Sequence, residues 1–465
     1  MVISNARSGI NLPRVFLSVF IALLISIMVG PTVSAAADAG RQGFQTILVE
    51  SLTALWTGQE FSPELKQRQE TLKAMLASGA VPKSEMETMT EETISSILDR
   101  HKTSRYILKD FPTRASALFA PQMTWDEIKQ IIWRAMTSPV KKEDPVLFKV
   151  GTLAPPGTPW LTVPETIAFP EIERLSEGRV LMKIYGGGVM GEDTDILRKM
   201  DMGQLDSCGC TSLGVLAASP DTSAFLVPGL FKNYEEVDYI CEKFRKRLDE
   251  GFEKKGYILA ALIDTGFFYM FSKNKITGLA DLRKQKVLTW FGAMETALYK
   301  ELSINPTPVA VPEIVSTLST GLADTNLSPA GWMLGMQAYQ YSKYFLKPAL
   351  LYSPAAVIVS TKTKERLRKQ INVSETYAHN VQELLVFEFN SIEPEWRRQI
   401  RAYEGKSLEA FESKCGIKVM TFSFEDQQAI EKAGESVQRQ MAGKAFSADL
   451  IVDIKKALEE YRAKH

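Results

Sequence analysis

At Val146 the hydrophobic pattern of the chain changes period, and that change restricts the fold more than any other feature. Before it, residues 41–136 read as helices only: Phe44, Ile47, Leu48, Leu52, Leu55 and Trp56 recur at helical spacing and stop at Gly58. Ser62-Pro63 opens a second helix carrying Leu65, Leu72, Met75 and Leu76, which Gly79 ends. Thr124-Trp125-Asp126-Glu127 is a capping box ahead of Ile128, Ile131 and Ile132. Beyond Val146, LFKVGTL (147–153) and RVLMKIYGG (179–187) are strand-like, and Gly178 ends an amphipathic stretch between them. Leu205 to Cys210, Tyr257 to Ile263 and Pro354 to Ser360 are further strands. Strands alternating with helices predict α/β layers with largely parallel sheets, preceded by a small all-α domain. The chain then stays mostly helical to its end, where Leu450, Ile451, Ile454, Leu458 and Tyr461 form one face. The polar, Pro-marked stretch from Ser138 to Pro145 reads as a linker.

The first 35 residues carry an address rather than a fold. Arg7 and Arg14 precede the apolar run Val15 to Val29, and Val33-Ser34-Ala35 offers the small residues of a signal-peptidase site. The run is shorter than the roughly 20 residues of a membrane span, so cleavage near Ala35 and an exported mature chain are expected. Lys plus Arg and Asp plus Glu both number 55, which leaves no basic field to hold nucleic acid. Cys208, Cys210, Cys241 and Cys415 fix no pairing by themselves. Alternate residues of a strand face the same way, so Cys208 and Cys210 are expected in the core or a pocket wall, with a redox or metal role as the alternative. His101, His379 and His465 are scattered, and no P-loop, GxGxxG or GxSxG element is present. Gly186-Gly187-Gly188 reads as a tight turn. Nothing here supports catalysis, a cofactor or a metal.

From about residue 147 to 365 the motifs resemble the solute-binding subunit of tripartite ATP-independent periplasmic (TRAP) transporters. They are LAPPGTPW (153–160), GRVLMKIYGGGVMGEDTDILRKMDMGQLD (178–206) and FLVPGLFKNYEE (225–236). LADLRKQKV (279–287), PTPVAVPEIVSTLSTGLADTNLSP (306–329) and YSPAAVIVSTKTKERL (352–367) follow in order. The resemblance implies a two-lobed periplasmic binding protein fold with a hinge and a ligand cleft, periplasmic location, and delivery to an ion-gradient-driven permease. It implies no enzyme. Residues 1–35 would be the signal peptide, 36–142 the helical domain, 146–265 lobe I, 266–350 lobe II, and 351–465 a returning strand and helices packing on both lobes.

Members that carry organic acids usually present Arg in a K-[IL]-R pattern and in a G-[FA]-R segment, where it clamps a carboxylate. This chain has Lys286-Val287-Leu288 and Gly266-Phe267-Phe268 instead. The Asn of the family's D-G-Q-E-N-P stretch is Ser328, and the Tyr of its E-[VL]-Y run is Val315. Leu288 and Phe268 by motif position, with Trp160, Cys210, Trp290, Val315, Ser328 and Trp332, are the candidate ligand contacts. Such a wall suits a hydrophobic or amphipathic ligand, a lipid-like molecule among them. The alternatives are a small organic acid clamped by a relocated arginine such as Arg283 or Arg198, and a sensing or scaffold protein acting through its N-terminal helices and a protein partner. An exported enzyme using Cys208 and Cys210 ranks last.

Overall fold

The computed structural model describes residues 42–55, 59–79, 81–100, 118–119, 122–137, 145–290, 292–370 and 375–465. The expected signal peptide and the linker residues 138–144 lie outside the described residues. The chain divides into two compact units, Met1–Ala135 and Met136–His465.

In the first unit, helical spacing picks out the buried side chains: Phe44, Leu48, Leu55, Leu72, Ile128 and Ile131. Ser62 Oγ accepts from Leu65 N at 3.1 Å, and Pro63 takes the first position of the helix Pro63–Ala77. The box ahead of the helix Trp125–Thr137 closes reciprocally. Thr124 N donates to a Glu127 carboxylate oxygen at 2.7 Å, and Glu127 N donates to Thr124 Oγ1 at 3.3 Å.

The second unit is built on one mixed sheet. Its strands are β1 (Val146–Thr152), β2 (Val180–Tyr185), β3 (Ser207–Cys210), β4 (Tyr257–Ser272), β7 (Thr325–Pro329), β8 (Tyr344–Leu346), β9 (Leu351–Ser360) and β10 (Lys418–Met420). The short strands β5 (Leu288–Thr289) and β6 (Thr307–Pro308) pair separately. The order is β10-β8-β4-β9-β3-β1-β2, with β7 also on β4. Parallel pairing holds for β1 with β2 and β3, as the alternation predicts. It fails at the centre, where β4 runs antiparallel to β9, β8 and β7. β4 continues to Ser272 instead of stopping at Ile263, so one strand serves the first lobe with its beginning and the second with its end.

What lets β4 pass Gly266 is a bulge between Asp264 and Gly266. Gly266 has φ of 120°, and a Cβ there would meet the Glu404 carboxyl carbon at 3.3 Å and the Tyr234 hydroxyl at 3.4 Å. Pro354 pairs with Asp264 on β9, and a bulge is where a strand tolerates a residue without an N–H. The prolines Pro164 and Pro170 bend the lobe's first helix without ending it: Pro159–Val163 continues through a π-turn, Pro164–Ala168, into Phe169–Leu175. The 39-residue helix Glu375–Ser413 contains Pro394. At the usual rise it is roughly 58 Å long, enough to run beside both lobes.

Replacing Gly266 by Ala adds a side chain at a left-handed backbone position against Glu404. Urea unfolding should show a loss of about 2 kcal/mol or more. An unchanged midpoint would mean that the bulge does not need glycine.

Candidate functional site

The long helix presents four ionisable side chains to the sheet on one face: Glu393, Arg397, Arg401 and Glu404. Glu393 accepts from Leu262 N at 3.0 Å and pairs with Arg245 at 2.9 Å. Arg397 and Arg401 converge on the wholly buried Asp264, at 3.3 and 2.8 Å, and both also reach Asp238. Tyr352 donates its hydroxyl to Asp264 at 2.7 Å. Burial alone would raise the Asp264 carboxyl, but the two guanidinium groups outweigh it and hold it below its ordinary value. Glu404 accepts from Ala330 N at 3.1 Å and Gly331 N at 2.7 Å, the first amides of the helix Ala330–Gly335. Burial pushes Glu404 up to about 8 in spite of these two bonds.

Over this network lies a cavity of about 50 Å³. Its wall is formed by the carboxyl ends of β1 and β3, the bulge region of β4 and β9, Trp332 of the helix Ala330–Gly335, and Phe389 and Trp396 of the long helix. A crevice outside the carboxyl ends of strands is where open α/β sheets hold ligands. The Gly186–Gly188 turn braces it: Gly187 N and Gly188 N donate to Ala154 O and Thr152 O at 2.9 and 3.1 Å. Glu192, which caps the helix Asp193–Asp201, reaches across to accept from Val311 N at 2.7 Å, a bond between the lobes.

Of the residues singled out in the sequence, Trp160, Cys210 and Trp332 lie on the cavity wall. Phe268, Leu288 and Trp290 are packed into the hydrophobic core, with Phe268 and Trp290 ring centres 5.7 Å apart and the Trp290 indole N–H donating to Leu327 O at 3.1 Å. Ser328 is buried and accepts from Asn326 Nδ2 at 2.7 Å, and Val315 is partly buried against the core. None of these five is on the wall. Phe267 and Tyr269 point the opposite way from Phe268 and line a separate recess of about 770 Å³ with Phe231 and Phe422. Arg283 donates to Leu302 O at 2.9 Å, and Arg198 pairs with Asp195 at the surface at 2.8 Å, so neither reaches the cavity. Sequence reasoning missed Arg397 and Arg401. Their one visible signal is the i, i+4 spacing of two arginines, which a solvated helix face shares.

The polar groups of the wall are almost all committed. Thr152 Oγ1 donates to Gly209 O, Thr265 Oγ1 to Pro354 O and Thr211 Oγ1 to Asp193. The indoles of Trp160 and Trp396 donate to Asp264 O and Pro159 O. Among the described wall side chains only the Trp332 indole N–H has no protein acceptor, and none carries a charge. Cys208 and Cys210 are joined in a disulfide.

The fold of this arrangement has known counterparts. A sugar-acid-binding protein from Advenella mimigardefordensis, solved with galactonate, superimposes with a TM-score of 0.61 at 17% identity, covering 69% of this chain and 99% of that one. A TRAP periplasmic solute-binding protein from Desulfovibrio salexigens, solved with orotic acid, gives 0.60 at 17% identity, covering 68% and 99%. In sequence, a solute-binding protein of Verminephrobacter eiseniae is 23% identical over 199 residues, 42% of this chain. The match spans 59% of that relative's own length. Residues 150–445 match the bacterial extracellular solute-binding proteins of family 7. The chain belongs to that family, the solute-binding subunits of TRAP transporters.

Glu404 provides a pH test. Between the ordinary glutamate range and its raised value, the folded state keeps a proton that the unfolded chain has released. Its contribution is therefore fully present below about pH 4.5 and is lost as pH rises toward 8. From pH 5 to pH 7 the stability of wild type should fall by roughly 1–3 kcal/mol relative to Glu404→Gln. Parallel pH profiles from urea unfolding would contradict the assignment.

Proposed function

We propose that the chain is an exported binding component that closes its two lobes on a small molecule and hands it to the membrane permease of a TRAP-type transporter. Family membership supports capture and delivery, and the expected signal peptide supports a periplasmic location. The ligand is proposed to be uncharged and largely apolar or aromatic, bearing a hydroxyl or amide N–H group.

The observation that carries this reading is the donor inventory of the wall. A carboxylate entering the cavity would find no cation and one free side-chain N–H, that of Trp332. Burying it so poorly paired costs several kcal/mol. The amides of Ala330 and Gly331, which could otherwise receive an anion, are taken by Glu404. The threonine hydroxyls keep acceptor lone pairs, so a ligand that donates suits them. Phe169, Trp160, Trp332 and Trp396 supply apolar area, which contributes roughly 25 cal/mol per Å² removed from water. The known structures named above hold galactonate and orotic acid, and an acid here would need an arginine that the cavity wall does not contain. A cavity of this size admits only a small ligand, and a bulkier one, lipid-like ones included, would need the lobes further apart.

Mass spectrometry of an organic extract, from protein purified out of its native compartment without detergent, tests the ligand class. A stoichiometric uncharged compound is expected, and a stoichiometric carboxylic acid would overturn the proposal. With that ligand in hand, Trp332→Phe should weaken binding by ~3–10-fold, the worth of one neutral hydrogen bond. Glu192→Gln, which weakens the bond between the lobes, should speed ligand release measured by stopped-flow fluorescence.

A further inference from the structure

The disulfide between Cys208 and Cys210 closes a loop within one strand, so it restricts the unfolded chain very little. On chain-entropy grounds such a short loop contributes only about a third of what a loop of a hundred residues would. The strand it lies in is already held on both sides, by β1 and by β9. A staple is therefore a weak account of it, and an ionisable side chain lies against both sulfurs. Cys210 is on the cavity wall, whereas Cys208 is fully buried behind it. The side chain of Asp193 lies with both sulfurs, its carboxylate and the two Sγ atoms all within 4.8 Å of one another. Asp193 is completely buried; one oxygen accepts from Thr211 Oγ1 at 2.6 Å and Gly214 N at 3.0 Å, and the other has no hydrogen-bond partner. Gly214 is what admits this packing, since a Cβ there would stand 2.9 Å from Cys210 Sγ and 3.0 Å from the Asp193 Cβ.

We propose that Cys208–Cys210 is a thiol–disulfide exchange site, served by small thiols that enter the cavity, with Asp193 as the proton donor and acceptor. A thiolate attacks Cys210 Sγ and forms a mixed disulfide. The Cys208–Cys210 bond breaks with its electron pair on Cys208, and the Asp193 carboxyl gives its proton to that sulfur. A second thiolate attacks the outer sulfur of the mixed disulfide, releasing the external disulfide and leaving Cys210 to take a proton from solvent. Two external thiols are oxidised and one protein disulfide is reduced. In reverse, an external disulfide re-oxidises the pair, with Asp193 accepting the proton of Cys208.

Burial pushes Asp193 up to about 7, with Glu192 beside it adding to the rise and the bonds from Thr211 and Gly214 opposing it. It can therefore hold or release a proton near neutrality. The other charged group at this position is Glu192 on its own helix; β3 and the helix Ser212–Ala218 bring only the hydroxyl of Thr211 and backbone amides.

The test treats the folded, full-length protein with 2-mercaptoethanol, a small thiol without a carboxylate, across pH 6–9, traps free thiols by alkylation and maps them by mass. Cys208 and Cys210 should become alkylated together while the tryptophan fluorescence of the fold persists. In Asp193→Asn the rate at pH 7, corrected for the thiolate fraction of the reagent, should drop by ~10-fold or more and lose its inflection near pH 7. Labelling only in urea concentrations that unfold the protein would overturn the proposal. So would a wild-type profile that merely follows ionisation of the reagent thiol, a result that needs no variant. Neither outcome bears on the ligand proposed for the cavity.

Discussion

Asp264 is a carboxylate with no access to water, and the second unit is arranged to keep it charged. Its two guanidinium partners come from one helix, its phenol from β9, and its own backbone carbonyl holds the indole of Trp160. Removing one partner from such a cluster typically costs 3–5 kcal/mol, because the remaining charge is left buried and underpaired. The cluster sits at the bulge where β4 leaves one lobe for the other. The same helix face binds Leu262 on the approach through Glu393 and the helix Ala330–Gly335 beyond it through Glu404. One long helix is thus fastened before, at and after the crossing.

That fastening decides what chemistry remains for a ligand. The arginines available near the crossing are spent on Asp264 and Asp238, and the helix amides near Trp332 are spent on Glu404. Phe268 and Leu288, which motif position singled out, are buried in the core instead of reaching the cavity. The cleft is left with aromatic walls, acceptor oxygens and one free indole N–H. On the proposed reading, a hydrogen-bond ledger more than hydrophobicity as such would separate this site from one built for acids.

Much of the fold could be read from local pattern. The capping box at Thr124 and the helix opening at Ser62 each use residues a few positions apart, and each has the expected bonds. The buried stripe Leu450, Ile451, Ile454 and Leu458 follows from spacing alone. What sequence concealed were long-range pairings. Gly266 resembles a strand terminator, and only its partner Pro354 on β9 shows it to be a bulge inside a longer strand. Arg397 and Arg401 look like a solvated helix face until Asp264 is placed against them. In the site, Trp160, Cys210 and Trp332 came from neighbourhood and lie on the wall, whereas motif position selected Phe268 and Leu288, whose environment here is core. The register of β4 directs Phe267 and Tyr269 to one side and Phe268 to the other, and no local signal states which side holds the ligand.

The central claim is that the cleft discriminates by charge, and intrinsic tryptophan fluorescence can measure this through Trp160, Trp332 and Trp396. The titration should use matched pairs of small aromatic compounds that differ only in carrying a hydroxymethyl or a carboxylate group, at pH 7.5 and constant ionic strength. The account predicts that the alcohol binds at least tenfold more tightly than its carboxylate, with the preference insensitive to salt. Equal or tighter binding of the carboxylate, weakened by added salt, would show that a cation serves the cleft and would contradict it.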